Sequence, residues 1–145
     1  MKWVTGKHIN VDRIACPWLI LRFLDAEAEF LFVDEKEVLP VAARDEAVPY
    51  DVPHHPELKF THHEKMCTFE VLLREFEVDD PGLHLLAKIV RGAGRHGERS
   101  AAPEAAGLRA ISEGFRYLGI SSDKSLTWGF PVYDALYAWC LEQTK

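Results

Sequence analysis

Four of the chain's seven histidines fall within ten residues, His54, His55, His62 and His63, and Glu64, Cys67 and Glu70 follow directly. Imidazole, thiolate and carboxylate are the side chains that ligate divalent metals. A strand over Leu58–His63 running into a helix opened by Thr68 would gather His62, His63 and Cys67 at one strand-to-helix corner. Side chains alternate along an extended chain, so only one of the two adjacent histidines can face inward. The spacing matches neither HExxH nor CxxC. A solvated polar loop with one hydrogen-bonded histidine is the competing account.

Asp134 is the second candidate. It interrupts the otherwise apolar and aromatic stretch VYDALYAWCL, from Val132 to Leu141. A helix apolar on every side is a buried helix, and an unpaired buried carboxylate is costly enough to take up a proton instead. Asp134 therefore needs a partner: an arginine such as Arg13 or Arg22, a helix N-terminus, or a metal. An Arg–Asp core pair and a loosely packed helix with Asp134 facing water are the structural alternatives.

Asp12, Arg13 and Cys16 form a third cluster. A thiol at a helix N-terminus has its thiolate stabilised by the local dipole. The plainer reading has Asp12 capping a turn and Cys16 packing as a small hydrophobe. Cys140 reads as core. The stretch Gly92-Ala93-Gly94-Arg95-His96-Gly97 fits GxGxxG by letter, but it follows a helix where a dinucleotide site follows a strand. The nearby Arg91, Arg95, His96 and Arg99 suit a solvated loop able to meet an oxyanion.

The elements that must position these groups belong to a chain of 145 residues, 48% hydrophobic and 28% charged, with a formal net charge of −6. That is the profile of one globular domain over residues 1–145. The acidic balance argues against a general nucleic-acid binder for the chain as a whole. The longest apolar run, Ile14 to Leu21, holds eight residues including Pro17, whereas a spanning helix needs about 20. Three scattered cysteines and the absence of a secretory h-region point to a reducing, cytoplasmic setting.

Strands are expected at Trp3–Thr5, Glu29–Val33 and Leu58–His63. Helices are expected over Asp12–Asp25, Val38–Arg44, Thr68–Glu77, Pro81–Arg91, Pro103–Leu118 and Pro131–Gln143. Pro17 suits the first position of its helix, with Cys16 as the cap. Asp79 or Asp80 caps the helix at Pro81. The sum is an α+β, helix-rich single domain with a small sheet of two or three short strands.

Six ordered blocks carry a family resemblance: VDRIACPWLI (Val11–Ile20), EFLFV (Glu29–Val33), CTFE (Cys67–Glu70), IVRG (Ile89–Gly92), APEAAGL (Ala102–Leu108) and YDALYAWC (Tyr133–Cys140). Together they resemble the chromate-resistance protein family, the ChrB-type domain. In that family the domain often ends a longer protein, and here it stands almost alone, so a transcription-factor role is not expected. The resemblance implies a histidine and a CxF-acid block at His62, Cys67 and Glu70, and an aspartate at Asp134. Where family members usually carry an aspartate after IVRGA, this chain has Gly94; if that aspartate helps hold a metal, the resemblance implies that this chain has lost a ligand or that His96 substitutes for it.

The leading expectation is a soluble metal-binding domain, extending to a metal-dependent enzyme of unknown reaction. The metal ligands would come from His62, His63, Cys67 and Asp134, with Glu70 as a carboxylate partner. Arg13 would orient Asp134 or bind a small anionic ligand or substrate. Mixed His/carboxylate ligation suits zinc, manganese or iron. The alternative is an oxyanion sensor for chromate or sulfate that uses Arg13, Arg91 and Arg95 without a metal. Trp3, Trp128 and Phe130 could supply a homodimer face. No nucleic-acid or membrane partner is expected.

Overall fold

A computed structural model describes residues 1–94 and 102–145. Arg95, His96, Gly97 and Arg99, named above in the Gly/Arg-rich loop, lie outside the described residues.

Strand β1 (Lys2–Gly6) is central, with β2 (Glu29–Val33) on one side and β3 (Val48–Pro49) on the other, all parallel. Trp3 stands beside Phe30 and Val48, Val4 beside Leu31 and Pro49. Helix α1 (Asp12–Leu19) joins β1 to β2, and α2 (Val38–Asp45) joins β2 to β3. Alternation along β1 sends its side chains to two separate cores. Trp3 packs with α1 and with the later helices α3 (Thr68–Glu75), α4 (Pro81–Ala93) and α6 (Ser122–Gln143), whereas Val4 packs with Val38 and Val41 of α2. Helix α5 (Glu104–Tyr117) lies against α4. The fold is therefore helix-rich around a small three-stranded sheet, as expected. Its strands are parallel and connected through helices on both faces, which the sequence reading left open.

Four elements differ from expectation. Helix α1 begins at Asp12, so Pro17 sits inside it and cannot serve the carbonyl of Arg13. The chain runs on through a π turn over Ile20–Leu24, closed by the Asp25 N–H on the Ile20 carbonyl at 2.7 Å. Leu58–His63 forms no strand; it keeps a bridge from Tyr50 to Phe60, with the Asp51 N–H on the Phe60 carbonyl at 2.8 Å. Strand β3 is too short to extend that pairing: Pro49 offers no N–H, and Asp51 turns left-handed at φ 49°. Helix α6 starts nine residues before Pro131, where the Ser121 hydroxyl accepts from the Lys124 N–H at 3.1 Å.

Helix α6 is also not buried all round: Trp128, Trp139 and Leu141 are each about two-fifths exposed. Trp3, offered above for a dimer face, is core. Helix α6 crosses α1 closely at Gly129, where a Cβ would fall 2.6 Å from Cγ2 of Ile14. The reading of α4 holds, with Asp80 as its cap, accepting from the Leu83 N–H at 3.0 Å. No described helix is long and apolar enough to cross a membrane.

Candidate metal centre

Parallel strands end on one side of a sheet, and open α/β sheets carry their ligand crevices there. Asp51 lies two residues past the end of β3, and Asp12 opens the helix that follows β1. The two aspartates therefore meet at the carboxyl ends of adjacent strands. His62 arrives from the long connection between β3 and α3. Among the described residues, Asp12, Asp51 and His62 form the grouping that could hold a metal ion, with one donor atom from each lying within 4.8 Å of the others.

Asp51 is the most firmly held member. Its Oδ1 accepts from Oγ1 of Thr68 at 2.7 Å, and its Oδ2 accepts from Nε of Arg13 at 3.2 Å and Nδ2 of Asn10 at 3.4 Å. Its left-handed backbone turns its carbonyl onto the same guanidinium, 3.1 Å from Nη2 of Arg13. Aspartate tolerates that conformation better than most residues.

Arg13 is 4% exposed, and every one of its N–H groups has an acceptor. Nη1 and Nη2 fork onto the two carboxylate oxygens of Glu35 at 3.0 and 2.8 Å, and Nη1 also reaches the His8 carbonyl at 3.1 Å. Bidentate charge-assisted bonds of this kind are among the strongest a side chain makes. Although the partially exposed carboxylate of Glu35 feels some burial penalty, the guanidinium holds it below its ordinary range. Arg13 is thus a structural tie between α1, the β3 end and Glu35, not an orienter of Asp134 as expected.

Asp12 is the contrasting member. It is 4% exposed, and its Oδ1 accepts from the Phe69 N–H at 3.3 Å, so it caps the first turn of α3 rather than a turn of its own. The thiol of Cys16 lies 3.8 Å from the same oxygen. Burial pushes the carboxyl of Asp12 above its ordinary range, and His62 pulls against that shift. His62 is about half exposed and stands between the pair, Nε2 at 3.6 Å from Oδ2 of Asp12 and Nδ1 at 3.5 Å from Oδ1 of Asp51. The Asp12 carboxylate, its strongest influence, raises the imidazole to about 9.

Such an arrangement can hold a proton between imidazole and carboxylate, or exchange it for a divalent cation. The donor set fits a cation. Ligands bonded at roughly 2.1 Å in a tetrahedron stand about 3.4 Å apart, and one donor from each of the three residues lies within 4.8 Å of the others, so a small inward adjustment would complete the set. Oδ2 of Asp12 has lone pairs open to the site, whereas Asp51 is largely committed to Thr68, Arg13 and Asn10. Each ring nitrogen of His62 faces a different carboxylate, so one nitrogen would serve the ion.

The other expected residues are placed elsewhere. His63 turns away, its Nε2 3.1 Å from the Lys59 carbonyl. Cys67 is the buried cap residue of α3, and burial, then Asp12, pushes its thiol well above the ordinary range. Glu70 completes that cap: its Oε1 accepts from the Cys67 N–H at 3.1 Å, and its Oε2 takes Nη1 of Arg91 at 3.2 Å. Asp134 is not brought to His62. Its carboxylate is half exposed, held by Arg22 at 3.0 and 3.1 Å and by the Trp18 indole N–H at 2.7 Å.

Two members were not placed by sequence reasoning. In sequence Asp12 has the signature of a local cap, and Asp51, inside PYDVPHHP, follows a two-residue strand that leaves no periodic signal. The available signal was a lone acid immediately after a Val-Pro-Tyr run and upstream of paired histidines.

Residues 3–140 match the family described as ChrB, C-terminal domain. A relative named Protein ChrB, from Cupriavidus metallidurans, is 36% identical over 137 residues, covering 94% of this chain but 40% of the relative. The chain therefore spans about two-fifths of that protein's length. No solved structure matches. With nearly its whole length matched, the chain belongs to the ChrB family, in the part that forms that family's C-terminal domain.

Proposed function

We propose that this chain is a divalent-metal-binding domain linked, through its family, to chromate resistance, with Asp12, His62 and Asp51 as the ligands. The observation that carries the reading is Asp12. Among the described residues it is a buried carboxylate whose cationic partner is one exposed, displaceable imidazole. Zinc, manganese and iron suit a set of one imidazole and two carboxylates. When bound, the ion supplies a Lewis-acid centre at the mouth of the site.

The chain's own residues do the positioning. Arg13, Asn10 and Thr68 fix Asp51, and the first turn of α3 fixes Asp12 through the Phe69 N–H. Supporting groups of this kind set ligand orientation and affinity. An oxyanion would meet two carboxylates here, and Arg13 has no N–H left to offer it.

The test is metal analysis on tag-free protein, followed by calorimetric titration of the EDTA-treated protein with Zn2+ and Mn2+. A single site is expected, weakened about 10–100-fold or more by Asp12→Asn or His62→Ala. Circular dichroism checks that both variants fold. Equal affinity in the wild type and both folded variants would overturn the assignment.

A further inference from the structure

We propose that a second cavity, at the carboxyl ends of β1 and β2, binds a small organic anion: a carboxylate or phosphate monoester with a compact apolar body. The cavity is a surface depression of about 400 Å³, broadly open to solvent. Lys7 and His8, just past β1, and Asp34 and Glu35, just past β2, form its rim, with Arg116 of α5 opposite. Ile9 and Ile120 line it with apolar surface. It is separate from the Asp12, Asp51 and His62 grouping, and Arg13 and Glu35 stand between the two.

Charge decides what the cavity takes. The chain as a whole is acidic, at −6, yet both acids on this rim are already matched. Glu35 is forked by Arg13 at 2.8 and 3.0 Å, and Asp34 faces Nζ of Lys7 at 3.3 Å. Arg116 is left in excess. Among the described residues its guanidinium makes one long hydrogen bond, Nη1 to the Ile9 carbonyl at 3.4 Å, and lies 5.4 Å from the centroid of the exposed Tyr117 ring. The imidazole of His8 has no partner among the described residues. The Lys7–Asp34 pair is highly exposed on both sides, and such pairs are weak. An entering anion can therefore recruit Arg116 and His8 without breaking a buried interaction, while Lys7 stays with Asp34 and keeps that carboxylate matched.

Size decides the rest. A pocket of this volume lies in the range that holds small organic molecules, far above what a bare tetrahedral oxyanion fills. Ile120, partly exposed, gives the ligand's carbon body a surface to cover above the buried Ile9, while the guanidinium and imidazole take its charged head.

The experiment records 1H–15N spectra of the full chain in EDTA while titrating phenyl phosphate, benzoate and sulfate separately. Saturable shifts are expected at Lys7, Ile9, Asp34 and Ile120 with phenyl phosphate, benzoate or both, and the stronger of the two identifies the preferred head group. Sulfate should bind about tenfold more weakly, because it leaves the apolar surface uncovered. Arg116→Gln, a partly exposed side chain, should weaken binding by about tenfold, and Lys7→Gln should weaken it less. Binding in EDTA and in Asp12→Asn should match the wild type, which separates this site from the metal centre. The proposal is overturned by any one of three results: no shifts at these residues with millimolar organic anion, an equal response to sulfate, or undiminished binding in Arg116→Gln.

Discussion

Nε2 of His62 lies 3.6 Å from Oδ2 of Asp12, an exposed imidazole closing over a carboxylate that is withdrawn from water. The pairing sets a pH dependence in the metal-free protein. His62 is raised from 6.5 to about 9, chiefly by Asp12. A group whose folded value is raised contributes its full stabilisation below the unfolded value and loses it as pH climbs through the folded one. The contribution of His62 is thus complete below about 6.5 and gone above about 9. Because the ring is half exposed, it is worth about 1 kcal/mol at most, or roughly 2–4 °C in Tm. His62→Gln should lower Tm near neutral pH and leave it unchanged well above pH 9. NMR titration of the ring checks the cause directly. Titration near 6.5 would remove the pairing as an explanation.

Arg13 holds three chain segments through one guanidinium, and two carboxylates depend on it. Removing one partner of a buried charge pair costs about 3–5 kcal/mol, since the other charge is left behind. Arg13→Met should therefore lower the free energy of unfolding in urea by about that amount. Arg13→Lys should recover only part of it, because an ammonium cannot reproduce the fork. A loss below about 1 kcal/mol for Arg13→Met would show that Asp51 does not need the arginine.

Gly6 reports on the same tie from the strand side. A Cβ placed there would overlap the carboxylate of Glu35. The carboxylate can swing aside, but only by leaving Arg13. Gly6→Ala should cost about 1–3 kcal/mol, the scale of hydrogen bonds to charged groups. In a Glu35→Ala background nothing remains to be displaced, so the same substitution should cost much less. Chemical denaturation of the four proteins in this double-mutant cycle measures the coupling. Additive costs would mean that Gly6 is required for some other reason.

Most elements were legible because their signals are local. EFLFV is a strand by residue type, and Asp80 before Pro81 is a helix start by capping chemistry. The extent of α6 was not legible, because Pro131 reads as a beginning when taken alone, and only packing against α1 at Gly129 shows the helix passing through it. His62 was legible from its residue type and its histidine-rich neighbourhood. Its partners were not, since 50 and 11 positions separate it from Asp12 and Asp51 and the sheet order β2-β1-β3 decides which loops meet. Asp134 drew attention for a sound reason, an acid amid apolar residues. The need for a partner was met by Arg22, already one of the two arginines considered.

Asp134 supplies the sharpest separation between a structural pair and a metal ligand. Its oxygens take two Arg22 bonds at 3.0 and 3.1 Å and the Trp18 indole bond at 2.7 Å, linking α6 to α1 and the turn that follows it. Arg22 also lies 5.4 Å from the centroid of the Phe130 ring. Both members of the ion pair are nearly half exposed, so solvent screens it and the pair alone contributes about 1 kcal/mol or less. The indole bond adds about another 1 kcal/mol. Asp134→Ala should therefore lower stability by about 1–2 kcal/mol in urea unfolding and change Trp18 fluorescence. The affinity of the EDTA-treated protein for Zn2+ or Mn2+ should not move, because the proposed ligands Asp12, Asp51 and His62 keep their own supports. A tenfold loss of metal affinity in folded Asp134→Ala, equal to that in Asp12→Asn, would place Asp134 back among the ligands and remove Asp51 as the better candidate.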